Sequence, residues 1–290
     1  MGKIKAMISS IVLYARKLKH VWWFEFRSIV LSYKWLVLSI ISFMLINIYM
    51  KDIILLADTY DLGVYPATMA FFFDDYAFCN VGMLALIFVM SNFPVTNKLQ
   101  QGVLLRSGRL TWAMAQMCTV VTVVFLWIAE MMLFTCIILG GRLDLSGWGK
   151  VWGSFSSEAY SGIVGSITIS KRIILGFEPW NAVLLSSVFV TLTGIIYGML
   201  IFCLDGLTKR YVGEVILSVW SLAWIVIGSF DFLAENKYIR MFSPRKWLSL
   251  DNYIGNADAI YENIIIMLSI IVILWIFGSL LVKKQRIVPE

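Results

Sequence analysis

Residues 112–139 read WAMAQMCTVVTVVFLWIAEMMLFTCIIL, a run that contains a single charged side chain, Glu130. The hydrocarbon layer of a bilayer is about 30 Å thick and requires roughly 20 apolar residues of helix. This run therefore predicts a spanning helix that is long enough to tilt or protrude. The whole chain agrees with it, because 60% of the 290 residues are hydrophobic, 14% are charged, and the mean hydropathy is +0.83. We predict an integral membrane protein.

Five further apolar runs have the length of a membrane span or come close to it. The six predicted spans are residues 35–50, 78–94, 112–139, 181–204, 212–232 and 263–282. The predicted fold class is therefore an all-α integral membrane protein with six transmembrane helices. Residues 1–290 are predicted to form a single transmembrane domain.

The distribution of basic residues predicts the orientation of the chain. An even number of spans places both termini on one side, and the segments on that side carry fifteen of the 24 Lys and Arg residues. The longer segments on the opposite side carry nine basic residues and most of the acidic ones. Because cytoplasmic loops are enriched in Lys and Arg, both termini are predicted to be cytoplasmic in a multi-pass protein of the cell membrane. The net charge of +6 then reflects membrane orientation, and no nucleic-acid partner is predicted.

The sequence offers few groups for catalysis or metal binding. His20 is the single histidine, and the four cysteines lie in apolar runs without CxxC spacing. The chain also lacks the GxxxxGK[ST] loop that binds nucleotide phosphates. We therefore predict no catalytic, cofactor-binding or metal-binding residues, and we predict that this chain is not itself an enzyme.

Two segments at the predicted inner surface have amphipathic patterns. In residues 8–32, Leu18, Val21 and Trp22 recur at helical spacing, and basic side chains such as Lys17 can reach lipid headgroups. The alternative is a straight extension of the first span. The loop 97–111 reads NKLQQGVLLRSGRLT, in which Leu99, Val103 and Leu104 share one face of a predicted helix. Such a face lies on lipid or docks into a groove of another protein.

The outer segments 141–180 and 232–262 are too long to be simple linkers. Segment 141–180 is rich in Gly, Ser and Trp, and its apolar stretch 163–169 is too short to span a membrane. A re-entrant or surface-lying segment is predicted there. In the second segment, residues 243–250 predict a turn followed by a short interfacial helix.

Two features lie inside the predicted spans. Glu130 is an intramembrane acid, which indicates either a transport pathway or interface, or a carboxylate that reaches water from about ten residues below the outer end. Gly194 and Gly198 form a GxxxG pattern that permits close helix contact. This contact is either within one subunit or at a dimer seam.

This layout resembles the permease subunits of type-2 ABC exporters. That family has a cytoplasmic amphipathic elbow helix, six spans, a coupling helix between spans two and three, and short re-entrant helices before span six. Residues 8–32 match the elbow, 97–111 the coupling helix, and 232–262 the re-entrant region. Within the second match, QGVLLRSGR at 101–109 has the polar-Gly start, Leu-rich middle and Ser-x-Arg end of the family's pattern. It departs from that pattern by glutamines in place of acidic residues and by lacking a proline before the serine.

The resemblance implies an ATP-driven exporter. A separate ABC ATPase subunit, in two copies, would bind ATP and Mg²⁺, and a second permease subunit, identical or related, would complete the complex in the bilayer. The cargo would be amphipathic or hydrophobic, such as a peptide, a lipid-linked molecule or a drug, with peptide export as the first expectation. The implied ATPase-coupling residues are Leu99, Val103, Leu104, Arg106 and Arg109.

Two alternatives from other functional classes remain open. One is a secondary transporter or channel that uses Glu130. The other is a non-transporting membrane protein that acts in assembly or sensing.

Overall fold

The described part of the chain is helical throughout, apart from its connecting turns. This computed structural model describes residues 2–91, 93, 98–155, 169–208, 211–228, 230 and 244–284. The α-helices are α1 (Gly2–Val30), α2 (Tyr33–Tyr60), α3 (Thr68–Phe72), α4 (Tyr76–Met90), α5 (Lys98–Ser107), α6 (Arg109–Leu139), α7 (Gly149–Phe155), α8 (Lys171–Gly176), α9 (Pro179–Thr208), α10 (Val212–Gly228), α11 (Pro244–Leu248) and α12 (Ala257–Lys284). Short 3-10 turns follow α6 at Gly140–Arg142 and α11 at Leu250–Tyr253.

Among the described residues, four helices are long and apolar enough to cross a membrane: α2, α6, α9 and α12. They coincide with the predicted first, third, fourth and sixth spans, and α6 has 31 residues, in agreement with the expected long helix. The predicted second and fifth spans coincide with the shorter apolar helices α4, of 15 residues, and α10, of 17 residues. The all-helical membrane class is thus supported, whereas these two helices are shorter than predicted.

The six apolar helices alternate in direction. Lys34 at the start of α2 hydrogen-bonds Ser91 just after α4, and we call this end of the bundle the Lys34 end. Asp58 near the end of α2 pairs with Arg142 after α6, and this defines the Arg142 end. Helix α9 ends and α10 begins at the Lys34 end, since Glu214 lies close to Lys34. Helix α12 finishes there too, because its Gly278 packs against the early part of α6.

Helix α9 is the interior helix of the bundle. It packs against α4, α6, α10 and α12. In its most apolar stretch of 18 residues 78% of the residues are buried, compared with 11% in the corresponding stretch of α12. A helix that is hydrophobic all round and buried all round belongs in the centre of a bundle. The remaining long helices are arranged around it and expose apolar side chains outward.

Helix α1 is separate from the first predicted span. A turn at Leu31 and Ser32 ends α1, and the Ser32 hydroxyl accepts a hydrogen bond from the Trp35 N–H at 3.3 Å as the N-cap of α2. Helix α1 packs against α6 and α5. Its Trp22 Nε1 donates to the Thr122 hydroxyl of α6 at 3.2 Å.

Helix α1 has a buried face and an exposed face. Val21, Glu25 and Ile29, at four-residue steps, are buried. Arg16 and Lys17 are exposed. Large apolar side chains of α1, such as Leu13 and Trp23, are exposed as well. A helix with one face on protein, and with both basic and apolar side chains outward, suits the boundary between a membrane protein and anionic headgroups.

Short elements form a cap at the Arg142 end. They are α3, α7, α8, α11 and the 3-10 turn Leu250–Tyr253. Trp152 of α7 stacks on Phe71 of α3 with ring centroids 5.0 Å apart, and its Nε1 donates to the Tyr65 carbonyl at 2.8 Å. Beside the cap, the Ser146 N–H donates a hydrogen bond to Asp144 Oδ1. This hydrogen bond lowers the pKa of the Asp144 carboxyl group.

The deepest part of this cap is the segment 64–74, which we call the wedge. The Thr68 hydroxyl of α3 donates to Met50 Sδ, ten residues before the end of α2 and hence about 15 Å along that helix. The Ser186 hydroxyl of α9 donates to the Met69 carbonyl at 2.6 Å. Helix α4 follows the wedge, and Phe78 in its first turn packs edge-on against Tyr49, eleven residues before the end of α2, so α4 begins inside the bundle.

The re-entrant segment predicted for 141–180 depends on its apolar stretch 163–169. Most of that stretch lies outside the described residues. Among the residues that the structure describes, the segment that enters the bundle is the wedge, between α2 and α4.

Candidate functional site

Helix α5 carries the residues predicted to couple to an ATPase. Gly108, at φ +86°, separates it from α6 in a backbone conformation that favours glycine. Val103 and Leu104 are half-buried and pack against the core, so their apolar face is covered by the chain itself. Leu105 is 83% exposed, and the side chain of Arg106 is exposed beside it.

Arg109 and Leu99 are the remaining predicted coupling residues. Arg109 is exposed at the start of α6, and the side chain of Leu99 lies outside the described residues. We define the α5 surface as Leu105, Arg106 and Arg109. It is supported from behind by α1, which contacts both α5 and α6.

Glu130 lies in the seam between α6 and α2. It is twelve residues before Arg142, hence about 18 Å along the helix from the Arg142 end. Its carboxyl group contacts the Ser39 hydroxyl of α2, and its Oε2 atom is buried without a partner among the described residues. Glu130 is thus held against a neighbouring helix, inside the length of α6 and away from its ends.

The two glycines of the GxxxG pattern face helices of the same chain. A methyl group at Gly194 would lie 2.9 Å from Val124 Cγ1 of α6, and one at Gly198 would lie 2.8 Å from Met90 Sδ of α4. The glycines therefore permit α9 to approach α4 and α6 closely.

A polar cluster that the sequence analysis did not predict joins four helices at the Lys34 end. Lys34 of α2 donates to the Ser91 hydroxyl and lies 5.3 Å from the centroid of the Phe88 ring. Glu214 of α10 lies close to Ser91, Lys34 and Asp205. The ends of α2, α4, α9 and α10 are thus connected by one charged network in otherwise apolar surroundings.

Asp205 has a structural role within this network. It is 6% exposed, and its Oδ1 accepts the N–H of Gly213, in the first turn of α10. A carboxylate at a helix N-terminus satisfies free N–H groups and opposes the positive end of the helix dipole.

Replacement of Asp205 by alanine is expected to lower the free energy of unfolding by about 2 kcal/mol, because a buried N–H loses its acceptor. The Asp205→Asn variant keeps an acceptor oxygen and should lose less than half as much. Unfolding in a series of sodium dodecyl sulfate concentrations, followed by circular dichroism, measures both values. Equal losses in the two variants would contradict the capping role.

A second polar group lies deeper, between α4, α9 and α10. We call it the hydroxyl cluster: Thr193, Tyr197, Ser221 and the thiol of Cys79. The Tyr197 hydroxyl lies near the Ser221 hydroxyl and the Cys79 thiol. Among the described residues, the Thr193 hydroxyl has no hydrogen-bond partner, and the Tyr197 and Ser221 hydroxyls have only each other, although each of the three residues is at most 3% exposed.

Helical spacing relates the two polar groups. Ser221 follows Glu214 by seven residues and so lies two turns further along the same face of α10. On α9, Thr193 and Tyr197 are four residues apart and share a face. This spacing is visible in the sequence, but single hydroxyls in apolar runs resemble ordinary spanning-helix residues until the neighbouring helices are known.

The described residues contain no cluster of three or more His, Cys, Asp or Glu side chains that could hold a metal ion. The four cysteines are free thiols in this structure. Comparison with known proteins does not add to these observations, because no protein-family model, curated protein or solved structure matches the chain.

Proposed function

We propose that this chain is a membrane-spanning subunit of an ATP-driven exporter, with six spans and both termini in the cytoplasm. The spans would be α2, α4, α6, α9, α10 and α12, whose alternating directions suit successive crossings. The Lys34 end would be the cytoplasmic end, since the segments next to it carry the excess of basic residues.

The two short helices are compatible with this arrangement. Helix α10, with 17 residues, rises about 25 Å, close to the thickness of the hydrocarbon layer. Helix α4 rises about 22 Å, and the wedge would supply the rest of that crossing. Non-helical backbone at such depth is tolerated where protein surrounds it, and the wedge is buried among α2, α6 and α9.

The observation that carries the proposal is the α5 surface. A ten-residue helix that is supported by α1 and α6, yet leaves Leu105 almost fully exposed, has the properties of a docking element. A separate ATPase subunit would bind there, supply the ATP and Mg²⁺ chemistry and push on α5. A partner shifts a conformational equilibrium only if its contacts differ between the two states. The contacts of α5 with α6 and α1 would transmit the push of the ATPase to α6.

Replacement of Leu105 by aspartate is expected to reduce ATPase co-purification at least tenfold while membrane insertion is unchanged. A charge placed in an apolar contact is costly when the partner offers no counter-charge. The measurement is affinity purification in mild detergent with quantitative mass spectrometry of a protein that carries a P-loop. Leu104 is a poorer position, because it packs inward and its replacement would disturb the fold.

The matched control is Leu145→Asp, which changes an equally exposed leucine near the Arg142 end, 73% exposed. This variant should keep normal recovery of the ATPase. If both variants lose the co-purifying ATPase, the substitutions damage the protein in general. If the Leu105→Asp variant recovers a normal amount of ATPase, docking on α5 is refuted. A chain that elutes alone, with its fold intact, would refute the ATP-driven proposal.

A second candidate function is secondary transport coupled to an ion gradient. It is favoured by the polar groups inside the proposed spans, namely Glu130 and the hydroxyl cluster. Transport by the purified chain in liposomes, driven by a proton gradient without an ATPase, would support this candidate. Transport that requires an ATPase and ATP would exclude it.

A further inference from the structure

The hydroxyl cluster has unused hydrogen-bonding capacity in a place where such capacity is costly. Thr193 and Ser221 have no measurable exposure, and Tyr197 is 3% exposed. A buried hydroxyl without a partner costs about 1–3 kcal/mol. Other buried threonines avoid this cost by donating to their own helix, as Thr119 does to the Ala115 carbonyl at 2.8 Å.

The cluster is also electrically neutral. The nearest acids along its three helices are Asp75, one turn before Cys79 at the N-cap of α4, Glu214, two turns from Ser221 on α10, and Asp205, two turns from Tyr197 on α9. The Asp75 carboxylate accepts the N–H groups of the first turn of α4. Asp205 is engaged with the N-terminus of α10, and Glu214 lies beside Lys34. A charged ligand group would therefore lose its hydration in the cluster without gaining a counter-charge.

Neutral hydroxyls both donate and accept hydrogen bonds, so they complement groups that offer a donor and an acceptor together. The peptide amide is the common group of this kind, and inside a membrane it must find partners for both its N–H and its C=O. The bundle around the cluster is apolar and suits hydrophobic side chains on either side of such an amide.

We propose that the hydroxyl cluster binds backbone amide groups of a hydrophobic, uncharged peptide segment that enters between α4, α9 and α10. This proposal rests on the proposed transport function and specifies its cargo. It requires the three helices to move apart far enough to admit the segment, without ATP or a partner.

The chain supplies a matched pair of threonines for the test. Thr191 and Thr193 lie in the same helix and are both at least 94% buried, but the Thr191 hydroxyl donates to the Ser187 carbonyl at 2.7 Å. Removing the Thr193 hydroxyl should remove a ligand contact, whereas removing that of Thr191 should not.

The experiment measures binding of fluorescent N-acetyl-trileucine amide to the full chain in lipid nanodiscs, without ATP or any partner. The matched probe is the corresponding depsipeptide, in which ester oxygens replace the backbone N–H groups. We expect the amide peptide to bind at least tenfold more tightly than the depsipeptide. Thr193→Val and Ser221→Ala should each weaken amide binding about fivefold, and Thr191→Val should change it less than twofold.

A stability measurement accompanies the binding assay. Thr193→Val should leave the empty protein as stable as the unsubstituted chain, or more stable, which shows that any lost binding is not caused by unfolding. Equal affinity for both probes, absence of binding, or equal effects of the two threonine variants would overturn the proposal. Each of these results would leave ATPase docking on α5 unaffected, because no ATPase takes part in the assay.

Discussion

The Trp152→Ala variant is expected to lose about 4 kcal/mol of unfolding free energy. Trp152 has no measurable exposure, stacks on Phe71, and donates its indole N–H to the Tyr65 carbonyl. Truncation of a fully buried tryptophan to alanine removes its apolar contacts and leaves a cavity, at a cost of about 3–5 kcal/mol. It also leaves a carbonyl of the wedge without its donor.

The measurement is again unfolding in sodium dodecyl sulfate, followed by circular dichroism. Trp180→Ala is the matched control, because Trp180 lies at the same end of the bundle and is 60% exposed. We expect this control to lose less than 1 kcal/mol. Trp152→Phe keeps an aromatic ring to stack on Phe71 but loses the hydrogen bond and part of the buried ring surface, and it should fall between the two. Comparable losses for Trp152→Ala and Trp180→Ala would contradict the anchoring of the wedge by α7.

The long apolar helices could be predicted from the sequence because runs of that length and hydropathy are typical of membrane-spanning helices. The run 112–139 lies within α6. In α1, the predicted apolar residues Leu18, Val21 and Trp22 pack against the chain's own core. The wedge could not be predicted in the same way. Its aromatic residues, such as Phe71 and Phe72, have the composition of an interfacial loop, and only their contacts with α2, α6 and α9 show that they are buried.

Helix α5 illustrates a different limit of sequence reasoning. The pattern of Leu99, Val103 and Leu104 indicates an apolar face, but a pattern does not state which surface covers that face. In the structure Val103 and Leu104 pack against the chain's own core, so the exposed Leu105 is the better docking position. Whether α5 binds an ATPase stays a prediction.

The polar groups could not be predicted from the sequence for a physical reason. Lys34, Asp205 and Glu214 fall at the ends of predicted spans, where charged side chains are common because they can reach water. They become informative only when four helix ends bring them together. In the same way, Tyr197 and Ser221 are ordinary residues of two separate helices until α9 and α10 pack side by side.

Gly198 lies where α9 closely approaches α4 and α6, and its substitution is the second change expected to have a large effect on stability. Replacement of Gly198 by valine is expected to destabilise the protein by about 3 kcal/mol, because the first side-chain atom would overlap Val120 and lie 2.8 Å from Met90 Sδ. Met90 is flexible and can move, but Val120 is β-branched and holds one rotamer in a helix. The helices must therefore separate, and core contacts along α4, α6 and α9 are lost.

Gly206→Val is the matched control, since Gly206 lies in the same helix and a methyl group there would meet no atom within 4 Å. Its effect should stay within about 0.5 kcal/mol, as is usual for a substitution that creates no clash. Sodium dodecyl sulfate unfolding reports stability, and size-exclusion chromatography reports the oligomeric state. If the Gly198 variant keeps its stability but loses self-association, the glycine pair serves a dimer seam. If it loses stability at every protein concentration, the pair serves packing within one chain, as its contacts with Val120 and Met90 lead us to expect.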